Sequence, residues 1–275
     1  MDKVTKKIGF IGAGNMAQAI LAGILAKKVV RKEQIICSDV SDACCETVTK
    51  KYGITATSEN QMVVENADIL LLCVKPQDGT TILADIKNKI GENHTIISIM
   101  AGVSLPKIET LVGAACPVIR AMPNLAALVQ ESATAIVANE KANVDDAFIK
   151  DTMTIFNAVG KTIRLYDERL MDVVTGLSGS GPAYALMAVQ AMTVAATGLG
   201  MNKEDAQLLA NQTLLGASKM CMETGVAPEV LIDRISSPGG TTLAGREALE
   251  KHGFSDALIA AVKAAAKRSK ELGRA

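Results

Sequence analysis

The chain has 275 residues, 49% of them hydrophobic, which suffices for a real core and for two modest domains. Lys plus Arg and Asp plus Glu balance at 29 each, so no global field draws in nucleic acid or an anionic membrane; with no Trp, 3 Tyr and 4 Phe, little is available to stack on bases or sugars. No CxxC spacing, no signal-like N-terminus and no uninterrupted apolar run of about 20 residues point to a reduced, cytoplasmic protein without a membrane segment, and His94 and His252 lack partners at metal-ligand or triad spacing.

Along the chain, short apolar runs first alternate with amphipathic stretches. Strands are predicted at 7–11, 34–38, 69–74, 95–99, 117–121, 132–137 and 162–165. Helices are predicted between them at 15–27, 42–52, 59–66, 77–89, 106–111 and 144–157. This alternation predicts an α/β fold, a Rossmann-like parallel sheet covered on both faces. After about Tyr166 the strands stop. Ala-, Leu- and Met-rich helices follow at 181–197, 203–224, 228–235, 242–251 and 256–271, with Gly198 and Gly200 ending the first, Asn202 capping the second and Ser255 capping the last. The expected division is therefore a dinucleotide-binding domain over 1–165 and an all-helical domain over 166–275. Residues 183–196 are apolar almost all round, so that helix is expected to be buried on every side, against a second copy of the chain.

The first predicted strand runs into Gly12-Ala13-Gly14-Asn15-Met16-Ala17, a GxGxxA element between strand and helix. Gly12 permits the tight turn, Gly14 allows close approach of a pyrophosphate, and the helix start at Asn15 and Met16 faces the phosphate charge. Asp39, with Ser38 at the end of the second predicted strand, stands where a carboxylate can accept hydrogen bonds from an adenosine ribose. That carboxylate would also repel a 2′-phosphate, a lean toward NADH that Ser38 could offset by bonding a phosphate. Two further loops close the other wall of the expected cleft: Val74-Lys75-Pro76 and Ala101-Gly102, both at carboxyl ends of strands.

The helical half contains two glycine-rich loops. One is Gly176 to Tyr184, including Gly179, Ser180 and Gly181. The other is Ser236-Ser237-Pro238-Gly239-Gly240-Thr241-Thr242. Free backbone N–H groups at a helix start, with the hydroxyls of Ser237, Thr241 and Thr242, form a cradle for an amino-acid-like carboxylate; a plain helix-capping turn is the alternative.

With these loops in place the sequence resembles the pyrroline-5-carboxylate reductases, in the pieces 9–16, 74–76, 176–184 and above all 235–245, in order along almost the whole chain. The resemblance implies NAD(P)H-dependent reduction of a cyclic imine to proline, with NADPH or NADH as cofactor. It also implies a homodimer through the helical domain and further assembly of dimers. It implies that Thr242 approaches the ring nitrogen and that Ser237 with the backbone of Gly240 and Thr241 grips the carboxylate. Gly179, Ser180 and Gly181 would close the substrate site, and Asn60 would lie near the cofactor. The family often has Asn-Thr-Pro where this chain has Asn124-Leu125-Ala126, leaving Met122-Pro123-Asn124 as a cofactor-facing turn. Three other readings remain. A β-hydroxyacid dehydrogenase shares the plan but needs a catalytic lysine where Ala185 stands. A dinucleotide sensor would not need residues 237–242. A reductase of a six-membered imine differs by one methylene, worth only about 1–3 kcal/mol of discrimination.

Overall fold

Runs of Ile, Leu and Val with no polar interruption form strands that are buried on both faces, as parallel sheets require. In the computed structural model, which describes residues 2–113 and 116–273, these are β1 (Ile8–Ile11), β2 (Ile35–Ser38), β4 (Ile69–Leu72), β5 (Thr95–Ser98) and β6 (Val118–Met122). A short β3 (Thr55–Thr57) adds an edge; three residues with no apolar pattern gave no signal in the sequence. With β7 (Ser132–Ala138) and β8 (Gly160–Arg164), the sheet has the order β3-β2-β1-β4-β5-β6-β7-β8. The order reverses between β1 and β4, which opens a crevice beyond their carboxyl ends.

The expected parallel sheet is present from β3 across to β6, and one antiparallel pair extends it: β7 runs antiparallel to β6, with Ile119 opposite Ala138 and Met122 opposite Ala135. The connecting segment 123–131 is shorter than the dozen or so residues a parallel crossover needs. It forms a single 3₁₀ segment, Leu125–Val129, rather than a packed helix. The crossover from β7 to β8 does contain helices, α6 (Glu140–Val144) and α7 (Asp146–Asn157), and that pair is parallel.

Two apolar clusters, one on each face, complete this unit. On one face α1 (Asn15–Ala26), α2 (Asp42–Tyr52) and α7 pack through Ile20, Leu21, Ile24, Val48, Ile155 and Phe156. On the other, α3 (Asn60–Glu65), α4 (Pro76–Ile86), α5 (Leu105–Val112) and α8 (Leu170–Val174) pack through Val63, Leu83, Ile108 and Met171. Pro76 is the first residue of α4, one earlier than predicted, where its missing N–H costs nothing.

By contacts the chain forms two units, residues 1–179 with 265–275, and residues 180–264. The strands end at Arg164, close to the predicted boundary, whereas the contact division falls at Gly179 because α8 and the turn after it pack with the sheet. The second unit is helical: α9 (Gly181–Gly198), α10 (Lys203–Thr224), α11 (Pro228–Ile235), α12 (Thr241–Lys251) and the first part of α13 (Phe254–Leu272). Asn202 caps α10 as expected, its Oδ1 accepting from the N–H groups of Glu204 and Asp205. Ser255 does not cap α13. Gly253, at φ +68, makes the turn and its carbonyl accepts from the N–H of Ala257, so the helix has already begun at Phe254.

Candidate functional site

The GxGxxA element is built as its residue types demand. Gly12 has φ +98, and a Cβ there would stand 2.6 Å from the carbonyl oxygen of Cys73, so only glycine fits between β1 and the end of β4. Gly14 is different: its backbone is extended (φ −68, ψ −175) and nothing lies within 4 Å of where its Cβ would be. No side chain caps α1 there, which leaves the N–H groups of Asn15 and Met16 facing open space at a positive helix end. An anion-sized cradle that a Cβ would fill and a helix start with free donors are the features a dinucleotide pyrophosphate requires.

Around this loop the structure gathers the other predicted cofactor residues at the carboxyl ends of successive strands. Asp39 follows β2, and its carboxylate is already engaged: Oδ2 accepts from the N–H of Ala13 at 2.8 Å and Oδ1 from the N–H of Ser41 at 2.9 Å. The acid that was read as a ribose acceptor thus also braces the glycine loop. Each oxygen keeps a second lone pair for a ligand hydroxyl. Ser38 donates to Oδ1 of Asn60, the first residue of α3, at 2.7 Å, which links the two predicted residues directly. Val74, Lys75 and Pro76 lead from β4 into α4, with Lys75 exposed at the helix start. Ala101 and Gly102 form the turn after β5. A hollow of about 700 Å³, lined by Lys3, Val4, Lys28, Arg31 and Tyr52 among others, contains none of these residues. Sheets of this kind bind ligands at the carboxyl edge, which makes that edge the candidate site.

The segment read as a glycine loop, 176–184, is helical instead. A π-helical turn, Thr175–Gly179, continues α8 and leads through Ser180 into α9. Gly179 packs closely, since a Cβ there would meet the methyl of Met122 at 2.8 Å. The side chain of Asn124 is buried: its Nδ2 donates to the carbonyl of Ser178 at 2.9 Å, and its Oδ1 accepts from the N–H of Ala126. Asn124 therefore ties the turn after β6 to the π-helical turn, a role that no local sequence signal announces. Such turns occur often at functional sites.

The remaining predicted residues, Ser180, Gly181, Ser237, Gly240, Thr241 and Thr242, lie in the second unit. Residues 237–240 close a turn in which the N–H of Gly240 donates to the carbonyl of Ser237 at 3.0 Å. Gly240 then stands at the head of α12 with no side-chain cap. Ser237, Thr241 and Thr242 are exposed, and among the described residues none of their hydroxyls hydrogen-bonds to the protein. Free N–H groups and hydroxyls at one helix start can take a carboxylate. The His94 ring accepts from the N–H of Gly91 and lies 3.1 Å from the carbonyl of Val64, whereas His252 follows α12 and is exposed.

Comparison with known proteins decides the family. A model of the pyrroline-5-carboxylate reductase dimerisation region matches residues 168–272, and one described as NADP oxidoreductase, coenzyme F420-dependent, matches residues 7–102. A pyrroline-5-carboxylate reductase of Methanosarcina acetivorans is 43% identical over 98% of each chain. The chain belongs to the pyrroline-5-carboxylate reductase family. Solved members agree in fold across the whole length: the reductase of Coxiella burnetii superposes with a TM-score of 0.90 at 36% identity, covering 98% of this chain and 99% of that one. A Plasmodium falciparum pyrroline carboxylate reductase with NADP bound gives 0.88 at 31% identity, covering 98% and 99%. Membership removes the dehydrogenase and the sensor as families for the chain, and Ala185 sits within α9 where the dehydrogenase plan needs a lysine.

Proposed function

We propose that this protein reduces (S)-1-pyrroline-5-carboxylate to L-proline, the last step of proline biosynthesis, with NADPH or NADH as reductant. The observation that carries the proposal is the uncapped, hydroxyl-rich start of α12 at Gly240-Thr241-Thr242 in a chain that also has the open dinucleotide cradle at Gly14. Bound NAD(P)H supplies the hydride. Residues 1–165 serve the cofactor: Gly12, Gly14, Asn15 and Met16 its pyrophosphate, Ser38, Asp39 and Asn60 its adenosine half, and Val74, Lys75, Pro76, Ala101 and Gly102 its other half. Residues 166–275 serve the substrate and the dimer, with Gly179, Ser180 and Gly181 closing over the substrate. Dimers assemble further into a larger homo-oligomer in the cytoplasm.

The chemistry asks for orientation more than for acid or base strength. A protonated imine already carries positive charge. As the new C–H bond forms at its carbon, the C=N π electrons pass to nitrogen and neutralise it. The chain must hold the substrate carboxylate, through Ser237 and the backbone of Gly240 and Thr241, and place the ring nitrogen against the hydroxyl of Thr242. Holding reactants in line contributes much of the rate in such a reaction.

NADH and NADPH oxidation at 340 nm with pyrroline-5-carboxylate tests the reading in wild type and Thr242→Ala. The variant is expected to lose about ten- to a thousandfold in kcat/KM, roughly 1.4–4 kcal/mol. An unchanged value removes Thr242 from the mechanism. Turnover of the six-membered piperideine carboxylate in preference to the five-membered ring would overturn the substrate.

A further inference from the structure

The turn after β5 is gripped from two sides by residues far away in sequence. Gly102 has φ +76, and its backbone lies against the last described residues. A Cβ on Gly102 would stand 3.2 Å from the nitrogen of Gly273, and one on Gly273 would stand 2.6 Å from the carbonyl oxygen of Gly102. Ser269 fixes that terminal turn. It is 3% exposed, its hydroxyl donates to Asp172 Oδ1 at 2.7 Å, and its carbonyl accepts from the N–H of Gly273. Four residues before Asp172, Glu168 holds the other flank. Its Oε1 accepts from the N–H of Leu105, the first residue of α5, at 2.7 Å and from Arg120 Nη1 at 3.0 Å.

Arg120 rises from β6, where it pairs in register with Ser98 at the end of β5. It is only 5% exposed, and its Nη2 has no hydrogen-bond partner among the described residues. The Glu168 side chain stays 24% exposed; a partly buried ion pair adds little stability compared with apolar packing of the same volume, and an unmade hydrogen bond costs about 1–3 kcal/mol. Stability alone is thus a poor reason for this arrangement. What the pair does hold is geometry: Glu168 on the downstream side of the turn, and Asp172 through Ser269 and Gly273 on its outer side.

We propose that Glu168, Arg120 and Ser269 are positioning residues for the reaction, fixing the Ala101–Gly102 turn as the wall of the nicotinamide half of the cofactor. This rests on the assignment of that turn to the cofactor, for which the half away from Asp39 and the adenosine ribose is the nicotinamide half. None of the three need touch the reacting atoms. Displacing such a wall by a fraction of an ångström misaligns the ring, and misplacement of about 1 Å costs on the order of a hundredfold.

The experiment compares full-length Ser269→Ala, Ser269→Thr, Glu168→Ala and Gly102→Val. It measures KM for NADPH, KM for the imine, kcat, melting temperature and oligomeric mass. Ser269→Ala and Glu168→Ala are expected to lose about tenfold or more in kcat/KM for NADPH, with the imine KM within about twofold. Ser269→Thr, which keeps the hydroxyl, recovers most of the loss. If both variants match wild type while Gly102→Val loses cofactor affinity, the turn binds cofactor but is not positioned by these residues, and the proposal fails. If Gly102→Val also matches wild type, the cofactor assignment of the turn fails as well. A parallel loss of melting temperature and of both KM values, without recovery in Ser269→Thr, assigns the contacts to folding alone and overturns the proposal.

Discussion

Gly12 and Gly14 stand two residues apart in one loop and are glycine for different physical reasons. At Gly12 the reason is internal: φ is +98 and the carbonyl of Cys73 occupies the space of a side chain. At Gly14 neither constraint applies, so the space beside it is what must stay empty. The two substitutions should therefore separate stability from binding. Gly12→Ala is expected to lose about 1–3 kcal/mol from backbone strain, read in urea unfolding, and its cofactor affinity with it. Gly14→Ala should lose less than about 1 kcal/mol, the scale of a weakened helix cap, yet bind NADPH at least about tenfold more weakly by nicotinamide fluorescence. Equal affinity in Gly14→Ala and wild type would remove the pyrophosphate from this loop.

Among the elements, α9 is an apolar helix whose surroundings the single chain does not complete. Only Thr193 is buried on it, while Leu186, Met187 and Val194 are 64–67% exposed. Apolar side chains at that density on a solvent-facing helix are stable only when a partner covers them, and the matched dimerisation region includes the whole helix. Leu186→Glu places a charge where an apolar contact is expected. Light scattering should show a lower mass than wild type, and melting of the variant should no longer rise with protein concentration, as it does for an oligomer by mass action. A variant of unchanged mass would move the interface off this face.

On the scale of the whole molecule, buried thiols weaken the folded state at alkaline pH. Burial pushes Cys37 up from 9.0 to about 12, with the charges of Cys45 and Asp39 adding to it, and burial pushes Cys116 to about 11. An unfolded chain releases these protons near pH 9, whereas the folded chain retains them. The folded state thus binds more protons between about pH 9 and 12, and stability falls as pH rises through that window. Below pH 9 the contribution is fully present. Melting temperature measured from pH 8 to 11 should decline above 9, and the decline should be shallower in Cys37→Ala, whatever that variant loses in packing. An identical slope would assign the alkaline loss to other groups.

Local chemistry was enough to settle most of the elements. Apolar runs, cap residues such as Asn202 and the GxGxxA spacing act within a few residues of themselves, so they are written in the chain in order. The antiparallel entry of β7 was not legible, because a connection without a helix looks the same in sequence whichever way the next strand turns. Nor was the three-residue β3, which exists because β2 offers it an edge. The 176–184 segment has a loop's glycines, yet it runs helically into α9, with the hydroxyls of Thr175 and Ser178 bonded back to the carbonyls of Met171 and Val174. The same limit applies to function. The residues meant to touch ligands could be named from motifs, while Asn124, Glu168, Arg120 and Ser269 could not. Their partners lie roughly 50 to 100 residues away, and only the folding of the chain on itself brings such pairs within reach of a hydrogen bond.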